Sequence, residues 1–208
     1  MSIGPDAVSV FSQAIAEHLE VVRQLQERQD SLEEIARVMS AALEAGHKIL
    51  WCGNGGSAAD SQHLAAELVW RFRRERRAMP SIALTTNTSI LTAIGNDYGY
   101  DRVFARQVEA LGAAGDVLVG ISTSGNSRSV VLALETARGA GMVTVAFTGA
   151  GGGKMAAAAD HLLAVNSRDT ARIQEAQILA GHMICDWIEE SWMGRKPAAA
   201  GAEGAAGK

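Results

Sequence analysis

The run His47-Lys-Ile-Leu-Trp-Cys52 is apolar at successive positions from Ile49 on and passes directly into Gly53-Asn-Gly-Gly-Ser57. A strand without a polar face is buried on both sides, the situation of strands in parallel sheets. Glycines immediately behind it let the chain turn sharply into a helix. The order then repeats. A helix is expected from Ala58 to about Arg73, a strand over Ser81–Leu84, a short helix over Ser89–Ile94 ended by Gly95, and a helix over Val103–Leu111. Asp116–Ser122 reads as a strand, and Ser122-Thr-Ser-Gly-Asn-Ser127 feeds a helix over Arg128–Arg138. Val143–Phe147 and His161–Val165 read as further strands before a last helix from about Ala171 to Trp192. Strands separated by helices of this length make βαβ units, hence an α/β fold with a parallel sheet covered on both faces.

Two helices precede this pattern. Val8, Phe11, Ile15, Leu19 and Val22 recur at helical spacing between Ala7 and Gln26. Ser31 with Glu34 three residues on has the form of a capping box, opening a helix over Leu32–Ala45 that Gly46 ends. The final stretch, from residue 195, is low in complexity and is expected to be a disordered tail to a single domain spanning residues 1–194.

Composition excludes several classes of function. A net charge of −4 gives no basic excess for nucleic acid or an anionic membrane. No apolar stretch reaches the ~18 residues of a membrane span. The N-terminus lacks the basic and apolar regions of a signal peptide. Cys52 and Cys185 lie in apolar segments without CxxC spacing, and are expected to be buried free thiols of a cytoplasmic protein.

Both loops have residues suited to an anion. Asn54, Gly55, Gly56 and Ser57 stand between a strand and a helix, where glycine permits close approach and the helix N-terminus offers unpaired N–H groups. The loop is neither GxGxxG nor a P-loop with its lysine, so no nucleotide cofactor is expected. Read structurally, it is a tight turn with Ser57 as N-cap. Ser122, Thr123, Ser124 and Ser127 supply hydroxyl donors for a phosphate, or merely cap the next helix. Both loops follow parallel strands, at the end of the sheet where open α/β folds bind ligands.

On the helix after the first loop, Ser61, Leu64, Ala65, Leu68 and Phe72 form the core face, with Asp60, His63, Glu67 and Trp70 on a neighbouring stripe. His63 and Glu67, four apart, can hold a metal, orient a carboxylate as general base, or form a solvated pair. Trp70 on that stripe argues for cover by a cleft or subunit. The last helix, with Ile173, Ile178, Leu179, Met183, Ile184, Cys185, Trp187 and Ile188, reads as buried all round. Within it, His182 is either a satisfied core histidine or an acid–base or metal residue. Gln174 lies eight residues before His182, roughly 12 Å along an ideal helix, which makes joint contact with one small ligand awkward. The basic run Arg71–Arg77 reads as a solvated helix end.

Four blocks together, LWCGNGGSAADSQHLAAEL, AIGNDYGYDRVFARQVEALG, GDVLVGISTSGNS and ARIQEAQILAGHMICDWIE, resemble the bacterial phosphoheptose isomerases of the SIS (sugar isomerase) fold, from roughly Ala45 to Glu190. The resemblance implies a three-layer αβα sandwich with a central parallel sheet and N-terminal amphipathic helices. It implies interconversion of sedoheptulose 7-phosphate and D-glycero-D-manno-heptose 7-phosphate, on the way to activated heptose for surface glycans. It implies a homotetramer with active sites at subunit interfaces. By motif, Asn54, Gly55, Gly56, Ser57, Asn96, Asp97 and Gln174 would contact substrate, while Ser122, Thr123, Ser124 and Ser127 hold the phosphate. Glu67 and His182 would be the acid–base pair. Zinc, one ion per subunit, would sit on His63, Glu67, Gln174 and His182. Two positions depart from the family: some members carry Asp where Ala171 stands, and many carry His where Gln177 stands.

Aldose–ketose interconversion moves a proton between C1 and C2 through an enediol, which requires a base and an acid. Two other readings compete. One is a non-catalytic SIS protein that binds the bacterial replication initiator, a relative lacking the counterparts of Glu67 and His182. The other is isomerisation of a different sugar phosphate, such as arabinose 5-phosphate.

Overall fold

The computed structural model describes residues 5–193, with side chains from residue 9. The expected tail from residue 195 lies outside the described residues. Helices α1 (Pro5–Gln26) and α2 (Gln29–Glu44) precede strand β1 (Ile49–Gly53), helix α3 (Gly56–Val69) and strand β2 (Ser81–Ala83). Helix α4 (Thr88–Tyr98), a 3-10 turn over Tyr100–Arg102 and helix α5 (Ala105–Leu111) lead to strand β3 (Val117–Ser122) and helix α6 (Arg128–Gly139). Strand β4 (Val143–Thr148), helix α7 (Met155–Ala158), strand β5 (His161–Ala164) and helix α8 (Thr170–Met193) complete the chain.

All strand pairs are parallel, in the order β2-β1-β3-β4-β5. Every residue of β1 and of β3 is buried, as their unbroken apolar character required. Alternate residues supply two cores. Ile49, Trp51, Val117, Val119, Val145 and Phe147 pack with α1, α2, α3 and α8. Leu50, Cys52, Leu118 and Ala146 pack with α4, α5, α6 and α7. The result is the expected three-layer αβα sandwich. Each wholly buried Leu, Ile or Phe contributes about 1.5–3 kcal/mol, and Trp51 also donates its indole N–H to Ser81 Oγ at 2.8 Å. Both cysteines are free and buried, and burial pushes each thiol up to about 12.

Several helix boundaries differ from the sequence expectation. No capping box opens α2: the helix begins at Gln29, with Arg28 as N-cap and no side-chain cap. A two-residue connection after α1 forces this, with the Leu32 N–H already bonded to the Arg28 carbonyl. Ser31 therefore lies within the first turn, and Glu34 pairs with Arg37 at 2.5 Å. The Phe11–Ile15–Leu19 stripe of α1 faces outward, with Phe11 71% exposed, while Val21 and Leu25 face the core. Helix α8 is not buried all round. Ile173, Ile184, Cys185 and Ile188 are buried, but Ile178, Leu179 and Trp187 are half-buried and Met183 is exposed.

Helix α3 stops at Val69 instead of continuing to Arg73, so Arg71–Arg77 is not a helix end. Each arginine of the run has an intramolecular partner. Arg71 pairs with Glu75, Arg73 and Arg74 with Asp186, and Arg76 with Glu189, while Arg77 lies over the Trp192 ring.

Candidate active site

The sheet order 2-1-3-4-5 reverses direction between β1 and β3, which opens a crevice at their carboxyl ends. Both predicted loops lie there. Gly55 takes a left-handed φ of 58° as the N-cap of α3, and Gly56 leaves room that a Cβ would fill, 2.5 Å from the Gln174 amide nitrogen. Ser57 is buried in the first turn and does not act as the N-cap. On the other strand, Ser127 is the N-cap of α6, but its side chain makes no capping bond. Neither α3 nor α6 is thus closed by a side chain, and both direct the positive ends of their dipoles into one crevice.

Asn54 ties the loops together. Its amide nitrogen donates to Ser127 Oγ at 2.8 Å and Ser129 Oγ at 3.0 Å. Its amide oxygen accepts from the Tyr100 hydroxyl at 2.8 Å. Ser127 Oγ accepts from Asn54 and also lies 3.3 Å from Ser129 Oγ, where either hydroxyl can donate. Ser124 Oγ lies 3.4 Å from Ser122 Oγ and accepts the Asn126 N–H, while the Thr123 carbonyl accepts the Gly149 N–H. Asn96 and Asp97 hydrogen-bond to each other at the exposed end of α4.

The polar stripe of α3 meets α8. His63 Nε2 stands 2.9 Å from His182 Nε2 and 3.4 Å from Glu67 Oε1, and one ligand atom from each of the three residues lies within 4.8 Å of the others. The Phe72 ring stacks on His182 with centroids 5.4 Å apart at 29°. Burial, reinforced by His63, lowers the His182 pKa against the opposing pull of Glu67. A neutral imidazole is the form that ligates a metal or donates a single proton. Two imidazole nitrogens and a carboxylate oxygen make a donor set that fits zinc. Gln174, also on α8, holds its amide against Gly56 of the first loop.

Sequence reasoning assigned no role to Tyr100, Ser129 or Phe72. Tyr100 and Phe72 lay within quoted motifs or faces, but only the fold brings them to Asn54 and His182.

A family profile described as the SIS domain matches residues 11–149. The phosphoheptose isomerase of Akkermansia muciniphila is 57% identical over 163 residues, covering 78% of this chain and 86% of that protein. The chain belongs to the phosphoheptose isomerase family. Solved structures agree with this placement. The phosphoheptose isomerase of Neisseria gonorrhoeae has a TM-score of 0.84 at 46% identity, with 88% of this chain and 99% of that one covered. That of Francisella tularensis has a TM-score of 0.83 at 36% identity, covering 91% and 100%. Among the described residues, no helix is long and apolar enough to cross a membrane.

Proposed function

We propose that this protein is a phosphoheptose isomerase that interconverts sedoheptulose 7-phosphate and D-glycero-D-manno-heptose 7-phosphate for activated-heptose synthesis. The observation that carries this reading is the convergence of His182 of α8 with His63 and Glu67 of α3, the helix that opens at a phosphate-type loop. In this reading Ser122, Thr123, Ser124 and Ser127 receive the phosphate together with the N-termini of α3 and α6. Asn54 through Ser57, Gln174, Asn96 and Asp97 meet the sugar hydroxyls.

With the ring open, Glu67 removes the proton from C1 of the ketose and returns it to C2. His182 moves a proton between the oxygens on those carbons, which carries the substrate through an enediol. His63 and Phe72 hold the His182 ring in place. His63, Glu67 and His182, with Gln174 as the fourth donor implied by the family resemblance, would hold one zinc ion per subunit. Bound there, zinc would act as a Lewis acid toward the oxygens at C1 and C2. The reading includes a cytoplasmic homotetramer with sites at subunit contacts. The exposed Phe11, Ile15 and Leu19 of α1 and Trp70 beside the site support it, because large exposed apolar groups mark interaction surfaces.

Purified protein with sedoheptulose 7-phosphate should yield a new anomeric proton signal from the aldose. Glu67→Gln should abolish that signal while leaving the oligomer intact. Full activity in the variant would remove Glu67 from the chemistry. Turnover of five- or six-carbon phosphates alone would reassign the substrate, and no turnover would favour the initiator-binding alternative.

A further inference from the structure

Glu189 is wholly buried, two turns beyond His182 on α8, yet it belongs to no part of the chemistry above. Its carboxylate accepts the backbone N–H groups of Phe72 at 2.6 Å, Arg73 at 2.8 Å and Arg74 at 2.9 Å, and Arg76 Nε at 3.1 Å. The Arg76 side chain, 5% exposed, donates in turn to the carbonyls of Glu67 at 2.7 Å and Leu68 at 2.9 Å, and also to those of Trp70 and Arg77. Helix α3 ends where it does because of this exchange. N–H groups that would extend the helix turn to Glu189, and carbonyls left open in its last turn are taken by Arg76.

Burying an ion pair is a costly way to end a helix, since a left-handed glycine does so without desolvating charge. What the pair fixes is specific. It anchors the backbone of Phe72, whose ring covers His182, and the carbonyl of Glu67, so it grips both sides of the His63–Glu67–His182 cluster. We infer that Glu189 and Arg76 are positioning residues that set the orientation of the His182 imidazole through Phe72. Neither touches substrate. The inference rests on the proposed isomerase reading for its kinetic arm and on the ring packing alone for its spectroscopic arm.

The test uses the full chain with its five histidines labelled at the ring carbons. The His182 signal is assigned by its loss in His182→Gln. Stacking under Phe72 should displace the His182 ring protons upfield. Phe72→Leu, Glu189→Gln and Arg76→Lys should each move them back toward the values of an unstacked ring. With sedoheptulose 7-phosphate, Glu189→Gln and Phe72→Leu should each lower kcat by about 10- to 100-fold, the scale of a displacement near 1 Å. KM should stay within about threefold, because phosphate binding is untouched. The double variant should be no slower than the worse single variant, as expected of two residues acting through one contact.

A Glu189→Gln protein that melts lower but keeps the wild-type His182 shift and kcat would reduce the pair to a structural role and overturn the inference. So would losses in kcat that multiply in the double variant. If Glu189→Gln does not fold, Arg76→Lys alone and with Phe72→Leu makes the same comparison. If the wild type turns over no heptose phosphate, the isomerase reading fails, and the ring-proton shifts still decide the positioning.

Discussion

Helices α3 and α8 touch at a position where a single methyl group should separate loss of activity from loss of stability. Gly181 immediately precedes His182, and a Cβ there would lie 2.6 Å from both Cδ atoms of Leu64 and 3.2 Å from its Cγ. Leu64 is wholly buried and immediately follows His63. Carbon atoms rest about 3.5–4.0 Å apart, so Gly181→Ala requires on the order of 1 Å of relief. The relief cannot be taken up at the surface. Whatever the buried Leu64 side chain does not absorb moves the backbones that carry His63 and His182, whose ring nitrogens are 2.9 Å apart.

Overpacking of this kind costs about 1–3 kcal/mol, and replacing glycine within a helix returns about 1 kcal/mol. The net destabilisation is therefore about 0–2 kcal/mol, or roughly 0–8 °C in Tm for a domain of this size. At the site, a displacement near 1 Å costs about 100-fold in rate, equivalent to about 2.7 kcal/mol of barrier. Activity should thus fall by more than stability does. Urea melts and NMR-monitored turnover of sedoheptulose 7-phosphate measure the two quantities on one preparation. Leu64→Ala alone should cost about 2–5 kcal/mol. Combined with Gly181→Ala it should cost less than the sum, with a coupling of about 0.5–3 kcal/mol. A Gly181→Ala protein about 1 kcal/mol more stable with unchanged kcat would refute the argument, because the α3–α8 spacing would then not set the distance between the two histidines.

Two further outcomes follow from groups outside the reacting cluster. Tyr100→Phe removes the donor that orients Asn54 (2.8 Å), so KM for the sugar phosphate should rise by about 2- to 12-fold, the worth of one neutral hydrogen bond, with kcat little changed; steady-state kinetics showing the reverse split would place Tyr100 elsewhere in the cycle. Burial raises the Asp60 pKa, His63 opposing, and Asp60 Oδ2 has no partner among the described residues. Its protonated form is thus favoured on folding, and that stability is present below the unfolded value near 3.9 and lost as pH rises through the folded value. Asp60→Asn should accordingly melt higher than wild type at about pH 7, with the gain fading below about pH 4; an equal or lower Tm at neutral pH would contradict this.

The apolar runs of β1 and β3 identified buried parallel strands because a strand covered on both faces needs no alternation. Periodicity also placed His63 and Glu67 on one stripe of α3, and the pair is there. It could not say what a stripe faces. Phe11, Ile15 and Leu19 share a face as expected, but that face looks outward, and the same limit applies to Met183 on α8. Helix ends were less legible. The helix expected over Ser89–Ile94 and ended by Gly95 runs from Thr88 to Tyr98, with Asn87 as its cap through the Ile90 N–H, and the end of α3 depends on Glu189, more than a hundred residues away.

The same division runs through the site, and it carries a consequence for function. In the proposed reading the substrate-binding loops are built from residues adjacent in sequence, at the ends of two strands, so glycines and hydroxyls at Gly53–Ser57 and Ser122–Ser127 announce them. The reacting end depends on a separation between side chains on two helices, with His63 and His182 119 positions apart. In the proposed reading that separation is set by the bare Gly181, by the volume of Leu64 and by the buried Glu189–Arg76 pair; all but Arg76 stand inside the blocks that carry the family resemblance, yet nothing in their spacing says that they meet. Loop substitutions should therefore be felt first in KM, and substitutions at the α3–α8 contact first in kcat, since only the latter change the geometry in which the proton moves. A chain can keep every residue assigned to the substrate or to proton transfer and still lose the reaction through one methyl group at position 181.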